Sequence, residues 1–252
     1  MKSELVDRLN LSYEPVAVYF TDEKPENALQ FEKGKRGCVA FMLLAVAKKK
    51  KTAVFDEKTY GCPGGGVGIC FGDAFSANNH PTEQLLSTGF GDVSPKGKPM
   101  PAHFMYGERF FANPDLVKKW KSEMPYARTG KKYVVFKPFS LVKEDCLPDL
   151  LLFFVNPDQL SVLVISAGFN RGTACNVTVP YCAACQNIVY AYAETQKQTP
   201  SAVLGFFDLS QRFQVPKEIL SLTVPYQMFL EMENGVEKGC MTTEAWQKIA
   251  NR

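Results

Sequence analysis

Histidine and tryptophan are almost missing from this 252-residue chain, with two of each. Charge of one sign is missing as well, since 29 Lys and Arg against 26 Asp and Glu leave a net +3. That balance lacks the basic footprint of a nucleic-acid binder. No apolar run near the start approaches the ~20 residues that a spanning helix needs. The longest, Cys38–Ala47, runs straight into Lys48-Lys49-Lys50-Lys51, which reads as a solvated helix end. Acidic Glu4 and Asp7 stand where a secretory leader would carry its apolar segment. These absences predict a cytoplasmic protein with neither membrane nor nucleic acid as partner, and they leave homo-oligomerisation open. Two histidines also deny the chain a metalloprotease helix or a defensible Ser/His/Asp set.

Against those absences stand eight cysteines. A chain of this size buries roughly 70–75% of its unfolded surface and needs no disulfide staples. In a reducing cytosol its thiols point to metal ligands or redox centres.

Patterning predicts strands at Val16–Phe20, Thr52–Phe55, Tyr133–Phe136, Leu150–Val155, Ala202–Phe207 and Leu222–Val224. Helices are predicted at Ser3–Leu11, Cys38–Ala47, Pro81–Leu86, 113–124, 158–167, 180–195, 226–233 and 243–251. Asn113-Pro114-Asp115 and Asn156-Pro157-Asp158 place an N-cap and an N1 proline together. Alternating strands and helices predict an α/β or α+β fold, a single domain over 1–252 with a mixed β-sheet flanked by helices. Gly61–Phe75 is too rich in glycine to be regular throughout, and 94–101 reads as a loop.

Two constellations carry chemistry. In Gly61-Cys62-Pro63-Gly64-Gly65-Gly66-Val67-Gly68-Ile69-Cys70, two thiols flank a loop whose N–H groups can surround an anion. An iron–sulfur cluster held by thiolates is such an anion, and N–H···S bonds help set its potential. A phosphate loop would end in Gly-Lys-Ser/Thr, which is absent. The second constellation is Cys182-Ala183-Ala184-Cys185, with Cys175 before it. Zinc would normally bring a second Cys or His pair, and none exists. A third thiol, Cys38, follows Lys35 and Arg36, whose charges favour thiolate. Cys146 and Cys240 read as bystanders.

These residues resemble the uncharacterised ArCR-type family, domain of unknown function 169, over roughly Leu5 to Val224. The resemblance rests on Pro15-Val16-Ala17-Val18, on Cys38 before an apolar helix, on Gly61-Cys62-Pro63-Gly64-Gly65, and on Asn156-Pro157-Asp158-Gln159. It implies a prokaryotic, often anaerobic protein with cysteines at 38, 62 and 185. Ala202-Val203-Leu204-Gly205-Phe206 resembles the family's Ser-Leu-Gly-Cys segment, with Phe206 in the cysteine's place and Arg212 for the arginine after it. A four-cysteine site is then either kept, with Cys182 as the moved ligand, or lost.

The resulting expectation is a cytosolic iron–sulfur protein whose cluster, [4Fe-4S] by type, sits on Cys38, Cys62, Cys182 and Cys185. Cys70 and Cys175 stand in reserve, Gly64, Gly65, Gly66 and Gly68 wrap the cluster, and Arg36 and Arg212 contact anions. Its role would be electron transfer with a partner protein or redox chemistry on a small ligand. The alternatives are a non-redox binder of small anions, with zinc or no metal, and an enzyme with a cysteine nucleophile.

Overall fold

Short apolar strands alternate with capped helices along the chain. The computed structural model describes all residues except 93–96, 98, 100, 182, 251 and 252. Two units result, one of Met1–Gly72 with Ala127–Arg252 and one of Asp73–Tyr126 between them. The first begins with α1 (Glu4–Leu9), β1 (Val16–Thr21), α2 (Val39–Lys49), β2 (Ala53–Phe55) and α3 (Pro63–Gly68). The second holds α4 (Ala74–Ala77), α5 (Thr82–Leu85), α6 (Ala102–Tyr106) and α7 (Pro114–Ser122). The first unit resumes with β3 (Tyr133–Pro138), β4 (Leu150–Val155), α8 (Pro157–Gly168), β5 (Val177–Thr178) and α9 (Asn187–Glu194). It closes with β6 (Ala202–Gly205), α10 (Leu209–Arg212), β7 (Leu220–Pro225), α11 (Tyr226–Asn234) and α12 (Glu244–Ala250).

The first unit is an α/β fold around one mixed sheet in the order β2-β3-β1-β4-β7-β6-β5. All its pairings are antiparallel except β5 with β6. Strand β4 is apolar at every position and buried at every position, as a central strand covered on both faces must be. Side chains alternate across the sheet. Val16, Val18, Phe136, Leu152 and Phe154 pack with residues of α2 and α9. Ala17, Tyr19, Val135, Leu151 and Phe153 pack with residues of α1, α8 and α11. Three layers follow, with helices on each face of the sheet.

The predicted Asn156 cap closes a full capping box. Asn156 Oδ1 accepts from the Gln159 N–H at 2.9 Å, and Gln159 Oε1 accepts from the Asn156 N–H at 3.0 Å. The Gln159 amide also donates to the carbonyls of Leu9 and Asn10, each at 3.2 Å, and so ties α8 to the end of α1. Asn156→Ala should therefore cost about 1 kcal/mol in urea unfolding, with Asn156→Ser close to wild type. An unchanged midpoint in the alanine variant would contradict this role.

The second unit is built from short helices and tight backbone contacts. Asn113 caps α7 by accepting from the Leu116 N–H at 3.1 Å. Lys121 pairs with Glu83 at 2.8 Å in a mostly buried setting and joins α7 to α5. Both histidines belong to this unit, and His80 Nδ1 shares a hydrogen bond with Thr82 Oγ1 at 3.0 Å. Among the described residues, no helix is long and apolar enough to cross a membrane.

The structure adds the short elements α4, α6, β5 and α10 to those the pattern predicts, lengthens β7, and departs from the pattern around both cysteine motifs. The glycine-rich stretch does not stay open: Pro63–Gly68 is helical, with Cys62 as N-cap and Pro63 in the first turn. And α9 starts at Asn187 rather than at residue 180. The predicted loop at 94–101 lies largely outside the described residues, as does the end of the last helix.

Candidate thiolate site

Cys38 and Cys62 are both helix N-caps, at the starts of α2 and α3. The Gly37 N–H donates to the Gly61 carbonyl at 3.4 Å, which sets the residues before the two cysteines side by side. A thiolate at Cys62 opposes ionisation of Cys38. The Gly65 N–H donates to Cys62 Sγ at 3.2 Å. At Cys38 the N–H groups of Ala40 and Phe41 favour the thiolate without closing a cap hydrogen bond.

Cys185 reaches the same helix from the turn before α9, and its thiol donates to the Gly64 carbonyl at 3.7 Å. The glycines of α3 permit this packing. A Cβ on Gly68 would stand 2.8 Å from the Cys185 carbonyl oxygen and 3.1 Å from its sulfur. One on Gly65 would stand 2.7 Å from the Tyr60 carbonyl oxygen and 2.8 Å from a Val39 methyl. Close approach, not a special backbone angle, is what these two glycines serve.

Burial pushes the Cys38 and Cys62 thiols up, and this outweighs the N–H groups facing each sulfur. The Arg36 guanidinium works in the opposite direction on Cys62, while the Asp208 carboxylate adds to the rise at both. Without a cation the site therefore holds neutral thiols. The hydrogen bond from Cys38 Sγ to Gln211 Oε1, at 3.5 Å, is what a protonated thiol makes.

The remaining predicted residues disperse. Cys70 is separated from Cys62 by the whole of α3, roughly 10 Å along a helix axis, and it lines a different cleft. Cys146 and Cys175 are exposed, and Cys240 is half-buried beside the C-terminal 3-10 turns. Cys182 lies outside the described residues. Arg212 donates to the carbonyls of Ile219, Pro216 and Lys217, the last at 2.8 Å, so its guanidinium braces its own loop. Phe206, at the fourth family position, is 1% exposed and packs edge-on against Phe154, with centroids 5.2 Å apart.

Asp208 and Gln211 were not singled out by the sequence. Both follow the end of β6. Their place just after the Gly205-Phe206 segment is the signal that could have found them. Among the described residues, no group of three or more His, Cys, Asp or Glu side chains is drawn tightly enough to hold a single metal ion.

These features define a three-layered α/β protein with half-buried thiols, Cys38 and Cys62, at two helix starts and a buried thiol, Cys185, against the second of those helices. The chain belongs to the uncharacterised ArCR family, domain of unknown function 169, whose model matches residues 4–235. No curated protein and no solved structure matches it.

Proposed function

We propose that the chain is an iron–sulfur protein in which Cys38, Cys62 and Cys185 supply thiolates. The observation that carries this reading is the pair of helix starts. Two half-buried sulfurs stand at these helix starts, each faced by backbone N–H groups, while burial holds them protonated until a positive centre offsets the cost. Bound there, a cluster would supply one-electron oxidation and reduction. The N–H groups at each sulfur would donate to the resulting thiolates, and Arg36 would offset part of their charge.

With only two histidines in the chain, thiolate-only ligation weighs toward a cluster rather than zinc. Cys38 and Cys62 start α2 and α3, and Cys185 packs on α3 from the turn before α9. Electron exchange with a partner protein or a small ligand is the role proposed for it.

Strictly anaerobic purification, with iron and sulfide analysis, tests the reading. Iron and sulfide should accompany the wild-type chain, and Cys62→Ala and Cys185→Ala should each abolish loading. A colourless, iron-free protein, or full iron in either variant, would overturn it. Metal-free protein separates the nucleophile alternative. Iodoacetamide should react first with exposed Cys146 and Cys175 at neutral pH, and selective alkylation of Cys38 or Cys62 would favour a nucleophile instead.

A further inference from the structure

A second site lies away from the thiolate site, where the chain leaves and re-enters the larger unit. Residues 56–58 just after β2, residues 70–71 and the segment 128–133 border an open cleft of about 450 Å³. Such a volume is within the usual range for small-molecule sites. Its floor is Cys70 and Phe71, 3% and 6% exposed. Its walls carry Lys58, Arg128, Lys131 and Lys132 against the two carboxylates of Asp56 and Glu57.

The carboxylates and two of the cations are already engaged. Arg128 pairs with Glu57 at 2.9 Å, and Lys131 pairs with Asp22 at 2.8 Å. Asp56 accepts from the Lys58 N–H at 2.8 Å and from the Gln30 amide at 3.2 Å. Among the described residues, no ion pair closes on the ammonium groups of Lys58 and Lys132. The cleft thus keeps two cations for a ligand above an apolar floor.

The floor is held by an unusual backbone. The Cys70 N–H donates to the Val67 carbonyl at 3.2 Å and the Phe71 N–H to that of Gly66 at 2.9 Å. This is a Schellman ending of α3 with Cys70 in the left-handed position, at φ +66°. Glycine would adopt that angle without strain, so this helix ending places a cysteine side chain where glycine is commonly found. A glycine would also leave the floor without its thiol. Burial pushes that thiol well above its ordinary range, so it meets a ligand as a neutral, weakly polar surface.

We propose that this cleft binds a small organic anion, with its carboxylate or phosphate between Lys58 and Lys132 and its apolar or aromatic body on Cys70 and Phe71. Calorimetric titration of the full chain with phenyl phosphate, benzoate and inorganic phosphate tests it, and the first two distinguish the anionic group. Saturable one-to-one binding of phenyl phosphate or benzoate is expected, with inorganic phosphate weaker by about tenfold or more. Lys58→Gln with Lys132→Gln should weaken the organic anion by about tenfold or more and leave the melting temperature unchanged. Absence of binding at millimolar concentration, an affinity unmoved by the double variant, or inorganic phosphate binding as tightly as phenyl phosphate would each overturn the proposal.

Discussion

Phe154→Ala will lower the unfolding free energy by about 3–5 kcal/mol, a large share of the 5–15 kcal/mol typical of a folded domain. Phe154 is fully buried on the central strand β4 and faces the layer that holds α2 and α9. Its ring meets Phe206 edge-on at 5.2 Å and Tyr13 at 6.0 Å. Removing it leaves a cavity that a central strand, hydrogen-bonded on both sides, cannot collapse to fill. Urea unfolding measures the loss, with the half-exposed Leu141→Ala as a control expected within about 0.5 kcal/mol of wild type. A Phe154→Ala loss no larger than the control's would mean that this layer is not packed as described. The effect should also reach the thiolate site. Phe206 lies two residues before Asp208, whose charge acts on Cys38 and Cys62.

Gly68→Val should cost on the order of 3 kcal/mol, the upper end of what overpacking costs. The first added carbon would already lie 2.8 Å from a backbone oxygen of Cys185, and backbone cannot rotate aside as a side-chain tip can. Gly68→Ala sets two effects against each other. Alanine gains up to about 1 kcal/mol of helix propensity over glycine, yet it makes the same first contact. A net loss is expected, smaller than valine's. Chemical denaturation of both variants decides the matter, and a stabilised alanine variant would show that α3 and Cys185 are not in close contact. If Cys62 and Cys185 hold one cluster, iron loading should fall in step with stability across the two variants.

Where local physics dominates, the elements were legible in the sequence. Leu150–Val155 is apolar throughout, and only a strand covered on both faces accommodates that run. Asn156-Pro157-Asp158-Gln159 contains every group of the capping box, all within four residues. Cys38 heads an apolar helix because Val39–Ala47 follows it as an unbroken apolar run. The helix at Pro63–Gly68 was not legible, since glycine disfavours helix by about 1 kcal/mol per residue. Tertiary packing overrides that preference here. The close approaches of Tyr60, Val39 and Cys185 exclude side chains at Gly65 and Gly68.

The candidate site divides along the same line. Composition and local order were enough to define the α/β class and to put Cys38 at the head of an apolar helix, whereas the helix that follows Cys62 appears only in the folded chain. The first two depend on residues within a turn or two of one another. Which thiols meet was decided by the tertiary structure alone. Cys62 and Cys185 are far apart in sequence and share the surface of α3, whereas Cys62 and Cys70 belong to one motif and stand at opposite ends of that helix. Spacing along a chain says little about distance once a helix has interposed its length, and contacts between distant segments exist only after the sheet has brought their ends together.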